Sequence, residues 1–275
     1  MNPRVTEFRR LHERGCFVLP NPWDIGSARV LVNLGFHAVA TTSAGVAWSL
    51  GRRDNEISLE LALAHLRTIA GAVDVPVNAD FEDGFAREPV GVAANVRAAV
   101  ETGIAGVSIE DSTGKPAEPL YEFALAVERI KAARRAIDDS ATDVLLTGRS
   151  EGFIAGRPDL TETIRRLTAY ADAGADCLYA PGVRTMGDIS AIVSAVAPKP
   201  VNVLVSTDFA TVSQLADLGV RRISVGGALA RAAWTGFLAA AKEIANNGTF
   251  SALARNIAVP ELNKLFDPMH RHDAC

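Results

Sequence analysis

A chain of 275 residues, 48% hydrophobic and 22% charged, has the composition of a globular protein with material for one large core. A formal net charge of −4 with both signs dispersed, and no basic stripe, argues against a nucleic-acid partner. No apolar run reaches the roughly 18–20 residues that cross a bilayer, and Cys16, Cys177 and Cys275 lack ligand spacing, so reduced thiols in a cytoplasmic protein are expected.

The first 15 residues, MNPRVTEFRRLHERG, lack the apolar stretch of a secretory signal and read as an amphipathic helix. The first strand is CFVLP (16–20), and Trp23 in the following PNPWD is placed to line a mouth. The second, HAVATT (37–42), runs into a Ser43–Ala44–Gly45 turn and a polar loop, GRRDN, that carries Asp54. SLELALAHLRTIAGAV has apolar residues at three- and four-residue steps, as a helix requires, and leads to strand three, VPVNAD (75–80). Strand four is GVSIED (106–111); the segment PLYEFALAVERIKAARRAI after it predicts a helix from about residue 119. DVLLTG (143–148), CLYAPG (177–182), PVNVLV (200–205) and RISVGG (222–227) complete the strands. From about 228 a long helix, ALARAAWTGFLAAAKEIANN, and a tail with HRHD extend the chain.

Short β-rich runs alternating with helices argue for a parallel sheet closed into a (β/α)₈ barrel of the TIM type. Gly35, Gly103, Gly174 and Gly219 each end a helix a few residues before a strand, where a left-handed residue turns the chain. No linker or low-complexity segment interrupts the series, so residues 1–275 read as one barrel domain with a C-terminal helical extension.

Catalytic groups of such barrels lie at the C-terminal ends of the strands. Strand three delivers Asp80, Glu82 and Asp83 there, strand four Glu110 and Asp111, and strand five Arg149, Ser150 and Glu151. Carboxylates converging from neighbouring strands repel one another unless a cation sits among them. Hard oxygen donors with no His or Cys nearby point to Mg²⁺ or Mn²⁺ rather than zinc, with Asp80 and Glu110 the leading ligands. Asp83 and Asp111 are equally suited to capping the helices that follow. Arg149 offers a planar fork for a substrate carboxylate, or a partner for those acids. None of the five histidines falls at a strand's C-terminal end, which argues against a histidine base.

NPWDIGSARVLVNLGFHAVATTSAGVAWSLGRRD, VPVNADFEDGFA, GVSIEDS and TGRSEGFIAG, in that order, resemble the isocitrate lyase/phosphoenolpyruvate mutase superfamily. The resemblance runs from about residue 15 to the end of strand eight. It implies a barrel that binds Mg²⁺ and a small 2-oxo or dicarboxylic acid and works through an enolate. It further implies Asp80 as direct metal ligand, Glu82 in place of a second Asp, and Glu110 as outer metal-binding acid. Asp54 matches the acidic residue of the strand-two loop, Arg149 a substrate-contacting Arg, and Asn202 an Asn of the lyase branch. Ser43, Ala44 and Gly45 match a segment that holds the substrate carboxylate. The resemblance also implies a homotetramer, a dimer of dimers, with the helix from 228 exchanged between subunits.

One segment departs from the pattern. Where the isocitrate-type lyases carry a K-[KR]-C-G-H loop with a catalytic Cys, this chain reads STGKPAEPLYEF, with neither Cys nor His. The expectation is a Mg²⁺-dependent lyase acting on a C–C bond next to a 2-oxo or 2-hydroxy acid, similar to oxaloacetate decarboxylases. Alternatives are P–C chemistry (phosphonopyruvate hydrolysis or phosphoenolpyruvate mutation), a non-catalytic 2-oxo-acid binder, and a phosphate- or flavin-binding barrel using SVGGA.

Overall fold

The computed structural model describes residues 2–267, so His270, His272 and Cys275 lie outside the described residues. The strands are β1 (Phe17–Leu19), β2 (Val39–Ala40), β3 (Val77–Asp80), β4 (Gly106–Glu110), β5 (Leu145–Arg149), β6 (Cys177–Tyr179), β7 (Val201–Leu204) and β8 (Arg222–Ser224). All are parallel and form one sheet in the order β1-β8-β7-β6-β5-β4-β3-β2. The remaining seam, between β1 and β2, is bridged by the Ala40 amide donating to the Pro20 carbonyl at 3.0 Å. The architecture is a (β/α)₈ barrel.

Helices α1 (Pro3–Glu13), α2 (Ile25–Asn33), α3 (Ser43–Ser49), α4 (Leu59–Ala72), α5 (Pro89–Val100) and α6 (Phe123–Asp139) belong to the first half. Helices α7 (Leu160–Asp172), α8 (Met186–Val196), α9 (Val212–Asp217), α10 (Ala228–Asn247) and α11 (Val259–Lys264) complete the chain. Each strand lies within or at most one residue beyond the run expected from sequence, and most are shorter because their upper ends leave the ladder to form the rim. The four helix-ending glycines all have positive φ, between 86° and 99°.

Two segments differ from expectation. Ser43–Gly45 is the first turn of α3 rather than a free turn, capped by the Thr42 hydroxyl accepting from the Gly45 amide at 3.3 Å. Helix α6 starts at Phe123, not near 119, because the Tyr121 amide is taken by the Asp111 carbonyl and Glu122 caps the Ala124 and Leu125 amides. The residues between form a small hairpin closed by an antiparallel Ser112–Leu120 bridge.

Helix α1 closes the bottom of the barrel with Val5, Phe8 and His12. A Cβ at Gly106 would lie 2.5 Å from Phe8 Cε1 and 2.6 Å from Asn78 Oδ1, so the close approach of α1 requires glycine there. His12 meets the Phe8 carbonyl through Nδ1 at 2.7 Å and Arg222 Nη1 through Nε2 at 3.3 Å. A neutral ring with the proton on Nδ1 satisfies both partners.

Helix α10 is different from the others: of its 20 residues only Ala230 is buried, while Trp234, Phe237 and Leu238 stand exposed. The chain then turns back, held by Glu243 accepting from Thr249, Ser251 and Ala252, and reaches α2, where Asn33 Nδ2 donates to the Leu265 carbonyl. Among the described residues no helix is long and apolar enough to cross a membrane.

Burial, reinforced by the Arg222 charge, pushes the His12 pKa down to about 3. The unfolded imidazole takes up a proton near pH 6.5 and the folded one does not, so stability is full above that pH and falls as pH drops towards 3. About 3 kcal/mol should be lost from this group alone between pH 6.5 and 4. Denaturant titrations of wild type and His12→Gln at both pH values check it: the variant should lose less on acidification, and equal losses would contradict the assignment.

Candidate active site

Side chains alternate between the two faces of a strand, so every second residue points into the barrel. That period places Asn78 and Asp80, Ser108 and Glu110, Thr147 and Arg149, Cys177 and Tyr179, Asn202 and Leu204, and Arg222 and Ser224 on one face. Register then sets neighbours. Glu110 pairs with Arg149, Arg149 with Tyr179, Tyr179 with Asn202, and Asn202 with Arg222, which gives a lateral row across five strands. A cavity of about 190 Å³ opens on this row and is also lined by Ser43, Ala44, Asp54 and Asp80. It suits a ligand much smaller than those of ordinary pockets, which run from about 300 Å³.

Asp80 is the hinge of the acidic wall. Its Oδ2 accepts from the Ser43 amide at 2.9 Å and the Ser43 hydroxyl at 3.0 Å, and its Oδ1 meets Arg149 Nη1 at 3.1 Å. The same Nη1 lies 3.0 Å from Glu110 Oε2, and Arg149 Nε donates to Glu151 Oε1. Burial opposes the charge on Arg149, but Glu110, Glu151 and Asp80 outweigh it and hold its pKa well above the ordinary value. Burial raises the pKa of Glu110, with Arg149 opposing and Glu151, Asp80 and Glu82 adding to the rise.

Glu82 sits with φ 45° just above β3, a turn that lets its carbonyl accept from the Glu110 amide and prolong the β3–β4 ladder. Its Oε1 is buried without a hydrogen-bond partner. Burial, then the charges of Asp80, Asp54 and Asp83, push its pKa up to about 8. Asp54 belongs to an exposed loop, yet its carboxylate lines the cavity, where desolvation and Asp80 raise its pKa.

The other two acids are structural. Asp111 accepts from the Glu151 amide (2.7 Å), the Tyr170 hydroxyl (2.6 Å) and Arg166 (3.2 Å), which fixes the end of β5 under Arg149. Asp83 accepts from the Tyr121 hydroxyl at 2.7 Å and the Phe85 amide at 2.9 Å. Neither caps a helix.

The structure thus brings together Asp54, Asp80, Glu82, Glu110, Arg149 and Ser43–Gly45. Asn202 lines the same cavity, but its amide is engaged by Arg222 and Ser224. Trp23 lines a separate apolar pocket with Trp234 and Phe237, next to Gly45 of the α3 turn. The SVGGA turn loses its role as a phosphate cradle, because the Val225 and Gly226 amides both donate to Asn21 Oδ1, at 3.0 and 2.8 Å. Asn21 Nδ2 donates to the Thr41 carbonyl at 2.9 Å, so one side chain joins the tops of β1, β2 and β8. Asn21, Tyr179 and Arg222 were not singled out from sequence; the period of two along each strand is the signal that points to the last two.

A divalent cation fits this donor set. Five carboxylates (Asp54, Asp80, Glu82, Glu110, Glu151) face a single guanidinium, and one carboxylate oxygen is buried and unpartnered. Among the described residues no three acidic, His or Cys side chains are grouped so as to hold a metal ion by themselves. Mg²⁺ needs none, since it binds through one or two carboxylates and keeps water or substrate oxygens.

Residues 8–245 match the family model described as phosphoenolpyruvate phosphomutase. The chain belongs to the phosphoenolpyruvate mutase family. It is 35% identical over 221 residues to an uncharacterised protein of Mycobacterium tuberculosis, covering 80% of this chain and 81% of that one. Oxaloacetate decarboxylase of Paraburkholderia xenovorans is 30% identical over 206 residues, 70% of this chain and 67% of its own. Among solved structures, a lyase/mutase candidate from Burkholderia cenocepacia is 46% identical with a TM-score of 0.93, covering 96% of each chain. Phosphonopyruvate hydrolase in complex with oxalate and Mg²⁺ is 25% identical with a TM-score of 0.83, covering 96% of this chain and 94% of that one.

The Glu82 carboxyl ionises near 4.5 in the ordinary case and near about 8 here, so the metal-free folded protein binds its proton more tightly than the unfolded chain. Rising pH between those values therefore removes stability, of the order of 2–4 kcal/mol. Glu82→Gln should remove this contribution in metal-free buffer and leave a shallower slope from Asp54, Glu110 and Glu151. Melting curves at pH 5 and 8.5 measure it, and an unchanged slope would contradict the placement of Glu82.

Proposed function

We propose that the protein is a Mg²⁺-dependent lyase that cleaves a C–C bond next to a small 2-oxo or 2-hydroxy acid through an enolate. The observation that carries this reading is the position of Asp80, shared between the first turn of α3 and the Arg149 guanidinium on the wall of a 190 Å³ cavity. Asp80 would hold the metal directly, with Glu82 and Glu110 as the further acids of the site. The bound ion would supply Lewis-acid polarisation of the 2-oxo group.

The chain's own residues divide the remaining work. Arg149 receives the substrate carboxylate, a task that suits its fork geometry and its fixed charge. Ser43, Ala44 and Gly45 would hold the substrate carboxylate through the Ser43 amide and hydroxyl, which now donate to Asp80 and would pass to the substrate when Asp80 turns to the metal; Ser43, Ala44, Asp54 and Asn202 border the cavity. Donors fixed in this way would orient the scissile bond before reaction. The oxaloacetate decarboxylase relative supports the lyase reading, whereas the family model and the phosphonopyruvate hydrolase structure fit the P–C alternatives, which the assay below separates. A cytoplasmic location is part of the same reading, supported by the free thiols of Cys16 and Cys177.

The exposed apolar face of α10 supports a homo-oligomer, read as a tetramer built as a dimer of dimers, with α10 seated on a neighbouring subunit. Light scattering at micromolar concentration should show an assembly larger than a monomer; a stable monomer would reject the exchange.

The reaction is tested with oxaloacetate, isocitrate, methylisocitrate and phosphonopyruvate, each with Mg²⁺, by following pyruvate, glyoxylate, CO₂ and phosphate. Turnover of a C–C substrate that vanishes on chelation, returns with Mg²⁺ or Mn²⁺, and falls by more than about 10³-fold in Asp80→Asn is expected. Phosphate release from phosphonopyruvate alone would replace the C–C reading by the P–C one. Full turnover in metal-free protein would overturn the metal role.

A further inference from the structure

We propose that Arg222, on the floor of the cavity, selects the substrate by receiving a second carboxylate at the far end of the acid, so that the protein acts on dicarboxylic acids. The inference rests on the lyase reading above and names the substrate class of that same site.

Two cations line the cavity, Arg149 and Arg222. Arg149 is surrounded by acids: Asp80 lies 3.1 Å and Glu110 3.0 Å from its Nη1, and Glu151 accepts from its Nε. Arg222 is the opposite case. It is 2% exposed, and among the described residues it belongs to no ion pair. Its guanidinium meets neutral acceptors: Asn202 Oδ1 at 2.9 Å from Nε, Thr147 Oγ1 at 3.0 Å from Nη2 and His12 Nε2 at 3.3 Å from Nη1. His12 is buried and neutral, so it supplies no counter-charge. A guanidinium carries five N–H donors, and these three bonds leave one N–H on each of Nη1 and Nη2 without a partner among the described residues. A buried charge with no opposite charge is costly. A carboxylate oxygen would accept from such a donor and supply the missing charge.

Register sets the depth of the two cations. Arg149, Tyr179, Asn202 and Arg222 occupy one hydrogen-bonded row from β5 to β8. Strands about 4.8 Å apart and tilted by about 36° lower such a row by about 3 Å per strand, so Arg222 enters the barrel roughly 8 Å below Arg149. An acid whose first carboxylate is held at the rim by Ser43 and Arg149 points its far end at Arg222. The wall between them is neutral, formed by Tyr179, Asn202 and Ser224, and the Asn202 amide is already engaged by Arg222 and Ser224. A methyl group at the far end would leave the Arg222 charge uncompensated, whereas a carboxylate would compensate it. That difference is the selection.

The test compares two acids that differ only at the far end: 3,3-difluorooxaloacetate, which ends in a carboxylate, and 3,3-difluoro-2-oxobutyrate, which ends in a methyl group. Calorimetry with Mg²⁺ measures both, with oxalate, too short to reach the floor, as a record of site integrity. Wild type should bind the dicarboxylate roughly 10–100-fold more tightly, the range of a charge-assisted hydrogen bond. Arg222→Gln should reduce that preference to less than about threefold and leave oxalate affinity within about threefold of wild type. Arg222→Lys, which restores the charge without the fork, should recover part of the preference. A crystal structure of wild type with Mg²⁺ and difluorooxaloacetate tests the contact without any variant, and should place the far carboxylate within hydrogen-bond distance of Arg222. Equal affinity of wild type for the two acids, a preference that survives Arg222→Gln, or a far carboxylate turned away from Arg222 would each overturn the proposal and leave the lyase reading intact. Phosphonopyruvate bound more tightly than the dicarboxylate, with that advantage lost in Arg222→Gln, would overturn the choice of a carboxylate. Failure of wild type to bind oxalate with Mg²⁺ would instead bring down the reading on which it rests.

Discussion

Arg149 carries one positive charge among the carboxylates of Asp80, Glu110 and Glu151, and the rest of the site is arranged around that imbalance. One guanidinium cannot neutralise these three acids, still less the five carboxylates that cluster around it, of which Asp54 and Asp80 line the cavity. Unpaired buried charge is costly, so the excess appears as raised pKa values at Glu82, Glu110 and Glu151 in the metal-free protein. A divalent cation held by Asp80 would offset that penalty and let those acids ionise. The same arithmetic explains the support beneath Arg149. Asp111 pins the Glu151 amide while Tyr170 and Arg166 hold Asp111, so the end of β5 cannot relax away from the repulsion.

The barrel supplies the opposite charge from its other side. Closure at the β1–β2 seam depends on Asn21, which joins three strand ends and leaves the mouth open between α3 and β8. Plugging by α1 buries His12 against Arg222, and the Arg222 charge then stands at the cavity floor beside Asn202 and Thr147. The cavity is thus acidic on the β3–β4 wall and cationic below. The proposed substrate, a small acid with a 2-oxo group and a carboxylate, would match that polarity, with its oxygens towards the acidic wall and its charge towards a guanidinium.

Much of this was legible in the sequence, for a physical reason. Parallel strands that end in a barrel rim must place their last residues at the site, so PVNAD, GVSIED and the Arg149 that follows DVLLTG point to Asp80, Glu110 and Arg149 without any coordinates. The period of two also marks Tyr179 and Arg222, but as interior residues whose partners depend on register, and register is invisible in one sequence. Asp111 follows Glu110 by one position and so faces the other side of the sheet, where it meets α7; the alternation places it outside, and only the fold shows what it holds there. The start of α6 was misplaced because apolar periodicity continues through Leu120 and Tyr121, while the Asp111 carbonyl, distant in pattern terms, captures the Tyr121 amide. Asn21 carries no signal at all, since an Asn between two prolines reads as a turn.

The account stands on the claim that the excess carboxylates form a cation site centred on Asp80. Crystals grown with Mn²⁺ and oxalate measure this directly through the anomalous signal of the metal. The expected result is one strong peak within bonding distance of the Asp80 carboxylate, near Glu82 and Glu110, with oxalate between it and Arg149. A cavity without metal, or a peak only elsewhere on the protein while the Arg149–Asp80 contact persists, would contradict it.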